Sequence, residues 1–438
     1  MYFNDGMFPN EIGDFDVVEH DGALHLFYLT LPNHDSVGHL KSDDGIRWEP
    51  LPDALRTGAP GEFDADQIWT MGLFRHDGRW HMLYTSNERR GTIQRIGLAR
   101  SDDLLAWTKF PGNPVASPDP RWYEVHAEGN YRSDWRDPHI VADGGKLHAF
   151  LCARERNGLL NRRGCAGYFT STDGERWTVQ PPACTPRVGY DFECPSVFKL
   201  DGRWYLVAIC GAHDRSVYRV AERIEGPWRR PCDDAITPGQ NQSLRPCRFK
   251  GRMHLFHWTR GPRDWNAYRG GGHYSAVASP KEAWADETGA LHLKSCDWSP
   301  LYRGEPRPLP ADPGSAGAGT WKASGGGLAG DSEFGTGVWV SQAEHEDFEL
   351  RAEFKADPSR PAREFGFALR TDEHGDQGVF AGLVPGRFEA QLVKVVNNHR
   401  HGPQSLWRGR SVIQRYHVPA PPTGSIGCAS SPGVLPSS

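Results

Sequence analysis

Long apolar runs are missing from this chain: no segment approaches the roughly 18 apolar residues of a membrane-spanning helix. The first residues, MYFNDGMFPNEIGDFD, have neither a basic stretch nor an apolar stretch of the secretory type, so a cytoplasmic location is expected. Charge of one sign is scarce too. The formal net charge is −5 over 438 residues, with no basic block or basic amphipathic segment, which excludes nucleic acid and anionic membrane as expected partners. The nine cysteines are odd in number and scattered, and Cys184 and Cys194 lack a second pair at ligand spacing. They are expected to be reduced thiols, with no structural metal.

What the chain has in abundance is turn formers and aromatics: 50 Gly, 34 Pro and 16 Trp. Together they favour an all-β protein. One pattern recurs five times, a tight Gly turn followed by an alternating, aromatic-rich strand. The copies are HDGALHLFYL, HDGRWHMLYT, DGGKLHAFLC, LDGRWYLVAI and FKGRMHLFHW, with turn glycines Gly22, Gly78, Gly145, Gly202 and Gly251. The glycines are 56, 67, 57 and 49 residues apart. A second pattern follows three copies closely: VGHLKSDDGIRW, IGLARSDDLLAW and AGYFTSTDGERW, with VYRVAERIEGPW a weaker relative. Each unit therefore holds about four strands, the content of one propeller blade, and five units predict a five-bladed β-propeller. Trp48, Trp107 and Trp177 fall at one repeat position and are expected to pack blades.

The propeller is expected to occupy residues 1–305. The Pro/Gly/Ala linker PLPADPGSAGAGTW then leads into alternating segments GVWVSQA, DFELRAEFKA, REFGFALRTD and FEAQLVKVV. These predict a β-sandwich-like module over 306–396, short of the roughly seven strands of a full sandwich. Residues 397–438 are expected to be irregular, because their composition turns rich in Pro, Ser and Gly.

The hairpin glycines also act as rulers. The strand before each turn should be the innermost of its blade, so equal offsets from the Gly mark equal depth along the axis. Asp14 lies eight residues before Gly22, Asp137 eight before Gly145 and Glu193 nine before Gly202. The same offset gives Trp69 and Thr70 in the second unit, and Gln242 and Ser243 in the fifth. Read singly, each acid has an ordinary structural explanation: a turn cap, an Asp-Pro turn, a salt-bridge partner. Three carboxylates at one depth would raise one another's pKa, and clusters of that kind are usually functional. Glycosidic bond cleavage needs a protonated carboxyl group for the leaving oxygen and a second carboxylate as nucleophile or base. A third can offset charge in the transition state. No cofactor is required. Trp69, Arg136 and Trp258 are candidate sugar contacts, with a core-packing role the stronger alternative for Trp258. Asp16, two residues from Asp14, should share its face.

In this order GDFDVVEHDGALHLFYL, WRDPHI and ECPSVF resemble the three acid motifs of glycoside hydrolase family 32, whose five-bladed propeller is shared with families 68 and 43. The resemblance implies a C-terminal β-sandwich and cleavage or transfer of β-fructofuranosyl units with retention. It implies Asp14 as nucleophile, Asp137 with Arg136 as transition-state stabiliser, and Glu193 as acid/base. The partner would be an oligosaccharide, a fructoside first. The family's Asn-Asp-Pro-Asn-Gly is replaced by Gly13-Asp14-Phe15-Asp16, which leaves the nucleophile open between Asp14 and Asp16. The second family motif is IWTMG here, which loosens the link to sucrose or inulin. Two other functions stay open: an inverting family 43-like arabinofuranosidase or xylosidase, and a non-catalytic sugar-binding propeller. Carboxyl separation discriminates the first of these, since retention takes about 5–5.5 Å and inversion about 6.5–9.5 Å.

Overall fold

The computed structural model describes residues 2–3, 11–87, 93–125, 134–210, 215–236, 243–260 and 275–296, and short segments between 305 and 417. The chain divides into two units, Met1–Cys296 and Asp297–Ser438. Apart from one 3-10 turn at Leu160–Arg162, every described element is a strand.

The first unit is a five-bladed β-propeller. Blade 1 is the meander Glu11–His20, Ala23–Leu31, Ser36–Ser42, Glu49–Arg56. Blade 2 is Ile68–His76, Arg79–Asn87, Gln94–Ser101, Thr108–Lys109, and blade 3 is Trp135–Asp143, Lys146–Arg154, Gly164–Ser171, Thr178–Cys184. Blade 4 has three strands, Glu193–Leu200, Arg203–Cys210 and Arg215–Ala221. Isolated bridges Val217–Ala235 and Val220–Arg229 stand where its fourth would run. Blade 5 is Arg245–Phe249, Arg252–Phe256, Lys281–Ala285, Leu291–Ser295. Beside it, Ser275–Val277 pairs on one edge with Trp258–Arg260 and on the other with Tyr2–Phe3, so the first strand of the chain is tied to the last part of the ring.

The repeated turn explains the register. In all five hairpins both central residues have positive φ: Asp21 and Gly22 (51° and 83°), Asp77 and Gly78 (46° and 79°), Gly144 and Gly145 (57° and 76°), Asp201 and Gly202 (47° and 82°), Lys250 and Gly251 (50° and 76°). That is the type I′ geometry whose twist matches a two-residue hairpin, and glycine at the second position adopts it without a Cβ clash. The Ser-x-Asp turns of the second pattern are built by side chains. Asp44 Oδ1 accepts the amides of Ile46 and Arg47, Asp103 Oδ1 those of Leu105 and Ala106, and Asp173 Oδ1 those of Glu175 and Arg176. This local bonding is what Asp offers a turn.

The repeat tryptophans pack between blades. Trp107, Trp177 and Trp228 each stand edge-on to a phenylalanine of the preceding blade. The pairs are Phe27–Trp107 (5.6 Å, 82°), Phe74–Trp177 (5.9 Å, 88°) and Phe150–Trp228 (6.1 Å, 90°). Trp48 joins Cys247, Phe249 and Phe256 in the cluster between blades 1 and 5. A T-shaped pair contributes about 0.5–1.5 kcal/mol beyond area burial. A double-mutant cycle on Phe74→Leu and Trp177→Leu is therefore predicted to show a coupling of that size; additivity within about 0.3 kcal/mol would mean the two rings pack independently.

In the second unit the described strands form a four-stranded meander, Phe365–Leu369, Gly378–Val384, Glu389–Val395, Arg410–His417. Two pairs accompany it, Ser315–Ala318 with Val338–Val340 and Thr320–Ser324 with Gly327–Asp331. The strands expected in GVWVSQA, REFGFALRTD and FEAQLVKVV are present in part or whole; most of DFELRAEFKA lies outside the described residues. Two packed sheets are not established by these strands. The region expected to be irregular from residue 397 contains one strand, Arg410–His417, which pairs with Glu389–Val395. Its sequence RSVIQRYH keeps enough β-branched and aromatic residues to extend the meander, despite its polar surroundings.

Candidate active site

The first strand of each blade lies on the axis, and in four of them the ladder breaks at one depth. Register shifts fall between Ile12 and Phe15, Trp69 and Met71, Arg136 and His139, and Glu193 and Ser196. In blades 1, 3 and 4 two residues face one on the neighbouring strand, and the extra residue bends the strand and re-aims its side chains. Asp14, Thr70, Asp137 and Cys194 occupy these bulges. Asp137 and Cys194 take left-handed backbone conformations (φ 63° and 48°), each directly before a proline. Non-glycine residues held in that region cost of order 1–3 kcal/mol and cluster at functional sites.

The bulges bring the three acids to one end of the axis. Arg136 is buried, and its guanidinium is shared among carboxylates: Nη2 donates to Glu193 Oε1 at 2.7 Å, Nε lies 3.4 Å from Asp137 Oδ2, and Nη1 pairs with Asp134. The Asp137 amide donates to Thr85 Oγ1 at 3.0 Å, fixing the bulge to blade 2. Asp14 is held from the other side. Trp258 Nε1 donates to its Oδ1 at 2.6 Å; Thr70 Oγ1 and the Cys194 thiol approach its Oδ2 at 3.4 and 3.6 Å. Asp137 is sealed (2% exposed) while the Glu193 side chain keeps 32% of its surface. Burial, reinforced by the charge of Glu193, raises the Asp14 pKa above the usual carboxylate range, against the Trp258 hydrogen bond and the Arg245 charge. Burial likewise raises Asp137 to about 6, although Arg136 pulls it down. Burial keeps Cys194 a protonated thiol, able to donate.

One layer deeper lies Asp16, 3% exposed. It faces the axis as its spacing predicts, but its Oδ2 accepts the Leu73 amide of blade 2 at 2.7 Å and its Oδ1 the Val17 amide at 3.0 Å. His139, two residues past Asp137, does the same for blade 4: its Nδ1 accepts the Val197 amide at 3.2 Å, and burial keeps the ring neutral. This layer staples blades.

Burial raises the Asp16 pKa to about 6, from an ordinary value of 3.8. The folded state therefore binds more protons than the unfolded chain between pH 4 and 6, and stability falls as pH rises through that window. Asp16→Asn, which keeps an acceptor for Leu73, is predicted to flatten this part of the stability–pH curve. Chemical denaturation of both proteins at pH 4, 5, 6 and 7 checks it, and parallel curves would contradict it.

The remaining candidates also have definite places. Trp69 is half-buried beside His34 (ring centroids 5.4 Å apart), and its Nε1 donates to Gln67 Oε1 at 3.1 Å. Asn87 donates to that same oxygen, Gln94 donates to Asn87, and the Trp135 amide donates to Gln94, so buried amides connect Trp69 to the strand of Arg136. Trp258 packs between blades 1 and 5, the stronger of its two expected roles, and also donates to Asp14, which the sequence did not suggest. Ser243 is buried; Gln242 lies outside the described residues. Among the described residues no group of three or more His, Cys, Asp or Glu is arranged to hold a metal ion. A cavity of about 530 Å³ opens at a different place, lined by Asp16, Phe198, Lys199, Gly202, Trp204 and Arg248 among others, and contains none of the three acids.

Sequence reasoning placed Thr70 at the acid depth of blade 2 without giving it a role, and missed Asp134, Thr85, Cys194 and Arg245. Two were within reach of its own ruler. Cys194 lies eight residues before its turn glycine, and Arg245 lies six before Gly251, the offset of Asp16 from Gly22.

Residues 11–224 match the model of the glycosyl hydrolases family 32 N-terminal domain. The chain carries a family 32 domain. That domain holds all three acids, while blade 5, with Trp258 and Arg245, lies beyond the match. Among curated proteins, a vacuolar acid beta-fructofuranosidase of Arabidopsis thaliana is 38% identical over 128 residues, 27% of this chain and 18% of that one. A sucrose-6-phosphate hydrolase of Pediococcus pentosaceus is 27% identical over 188 residues, 41% of this chain and 35% of that one. The chain thus spans well under half the length of these relatives. The family 32 beta-fructofuranosidase of Bombyx mori shares the fold at TM-score 0.59 and 17% identity, covering 87% of this chain and 79% of that one. A variant of the Bombyx enzyme has been solved in complex with sucrose.

Proposed function

We propose that this protein is a retaining glycoside hydrolase that cleaves or transfers β-fructofuranosyl units. The observation that carries the reading is the single buried guanidinium of Arg136 shared by Asp137 and Glu193, with Asp14 beside them, in a family 32 domain. Curated relatives named as beta-fructofuranosidase and sucrose-6-phosphate hydrolase, and the sucrose complex of the Bombyx enzyme, support a fructoside substrate.

In this reading Asp14 attacks the anomeric carbon of the fructosyl unit while Glu193 protonates the departing glycosidic oxygen. Water, deprotonated by Glu193, then releases the sugar from Asp14. Asp14 is preferred over Asp16 because Asp16 spends both oxygens on backbone amides one layer down, whereas Asp14 sits in the bulge at the depth of Asp137. The short bond from Trp258 stabilises the ionised form that a nucleophile needs. Glu193, with 32% of its side-chain surface exposed, is placed to exchange protons with substrate and water. Asp137, locked by Arg136, offers fixed negative charge to the oxocarbenium-like transition state.

The test is release of free fructose from sucrose, 1-kestose and inulin, run beside arabinosides and xylosides. Fructose release supports the reading. Arabinose or xylose would move the protein to the inverting relatives, and no release from any sugar would favour a binding propeller.

A further inference from the structure

The family 32 match ends at residue 224, and the residue that reaches furthest into the site's foundation lies beyond it. Arg245 comes from the inner strand of blade 5 and is fully buried. Its guanidinium crosses the axis to three other blades. Nε donates to the Phe15 carbonyl at 3.1 Å; Nη1 donates to the Pro138 carbonyl at 3.4 Å and to Ser196 Oγ at 3.1 Å. Phe15 directly follows Asp14, Pro138 directly follows Asp137, and Ser196 stands three residues past Glu193. The three acceptors thus lie in or directly after the bulges of the three acid-bearing strands. Nη2 is buried and accepted by no group among the described residues, so the full charge of the guanidinium is not consumed by a carboxylate of its own.

We infer that Arg245 is a positioning residue for the three-acid site: one guanidinium clamps the inner strands that carry all three acids, through the Phe15 and Pro138 carbonyls and the Ser196 hydroxyl, and supplies the positive charge beneath them. The inference rests on the proposed reaction only for its kinetic readout. Its electrostatic side is consistent across the acids. The Arg245 charge counters the burial-driven rise of Asp14, Asp16 and Asp137 and adds to the loss of basicity of His139. The other groups facing Asp14 are Glu193, Trp258 and Cys194; those facing Asp137 are Arg136, Glu193 and Asp14. None of them belongs to blade 5 and carries a positive charge, so Arg245 has no substitute on its own strand.

Two variants separate clamp from charge. Arg245→Lys keeps a point charge but cannot span three acceptors. Arg245→Gln loses the charge as well. The expected result for Arg245→Gln is a kcat about a hundredfold lower, the scale on which small misplacement of reacting groups acts, with KM changed only a few-fold. The acid limb of its pH–rate profile should move up by about one pH unit, as ionised Asp14 becomes harder to form. Arg245→Lys should lose kcat while its acid limb stays at the wild-type position. Infrared titration of the protonated carboxyl band reads the same shift without turnover, so it decides the matter even if no fructoside is cleaved. If Arg245→Gln fails to fold, Arg245→Gln with Asp16→Asn removes both charges of the layer and is compared with Asp16→Asn alone. An unmoved acid limb and unmoved carboxyl titration in the folded variant, or an equal displacement in Arg245→Lys and Arg245→Gln, would overturn the inference. Normal fructose release with an unmoved titration would do so while leaving the proposed reaction standing.

Discussion

Glu193→Gln is expected to lower kcat on a fructoside about 10²- to 10⁴-fold, and Asp14→Asn at least as far, with circular dichroism and melting temperature unchanged. The first range is what a positioned proton donor contributes; its upper end corresponds to about 5.5 kcal/mol of barrier. The two variants should part company on a nitrophenyl glycoside. Its leaving group departs without a proton, so Glu193→Gln should recover much of its first step, while Asp14→Asn should not, because the bond to the anomeric carbon still cannot form. Exposure makes Glu193 a benign replacement, and in Asp14→Asn the amide oxygen can still accept from Trp258 while the amide NH2 faces the Thr70 hydroxyl, which can turn to accept. Retention of more than about a tenth of wild-type activity by Asp14→Asn would remove it as nucleophile and return attention to Asp16.

Arg136→Met should be damaging in a different way, to the fold as well as to the chemistry. The guanidinium is buried together with Asp134 and Asp137 and holds Glu193. Breaking a buried ion pair by removing one partner costs about 3–5 kcal/mol, because the remaining charges stay buried without compensation. For a unit of this size that corresponds to a fall in Tm of roughly 10 °C. The loss should be smaller at low pH, since Asp137, already raised to about 6, takes up a proton more readily than an exposed acid. Thermal melts of wild type and variant at pH 5 and pH 7.5 check both statements; equal losses at the two pH values would show that Arg136 acts by packing alone. Arg136→Lys should fail nearly as badly in activity, because an ammonium cannot present the fork that reaches three acids.

The site was legible in the sequence to the extent that the hairpins act as rulers. Gly22 and Gly145 sit in identical type I′ turns, so eight residues back from each is the same depth, and Asp14 and Asp137 were found there. The ruler slipped by one at Glu193, because the blade 4 bulge puts Cys194 at the matching offset and aims the preceding residue inward instead. A bulge has no composition of its own, and nothing in ECPSVF announces that Cys194 takes a left-handed conformation. Asp16 shows a second limit. Period-two alternation gives the face correctly, but two residues are about 6–7 Å of strand, enough to separate a reacting layer from a stapling one. Arg245 is not legible as a site residue because its three acceptors belong to blades 1, 3 and 4, up to 230 residues away along the chain. In the second unit the strand Arg410–His417 was hidden by the polar composition on both sides of it, while the stronger alternation of Glu389–Val395 was readable.

The bulges have one more consequence. At residues 14, 137 and 194 the backbone has stepped out of the ladder, so these positions take no part in the regular pairing of the inner strand with its neighbour in the same blade. The propeller's architecture and its site are thereby written largely in different places: hairpin turns and blade-packing rings set the first, and the bulges with the residues directly beside them, Arg136 and Glu193 among them, set the second. A change of residue at those positions can alter what the ring does to a bound molecule while the ring itself goes on closing as before, which makes this end of the axis the natural place to graft a different reaction onto the same five blades.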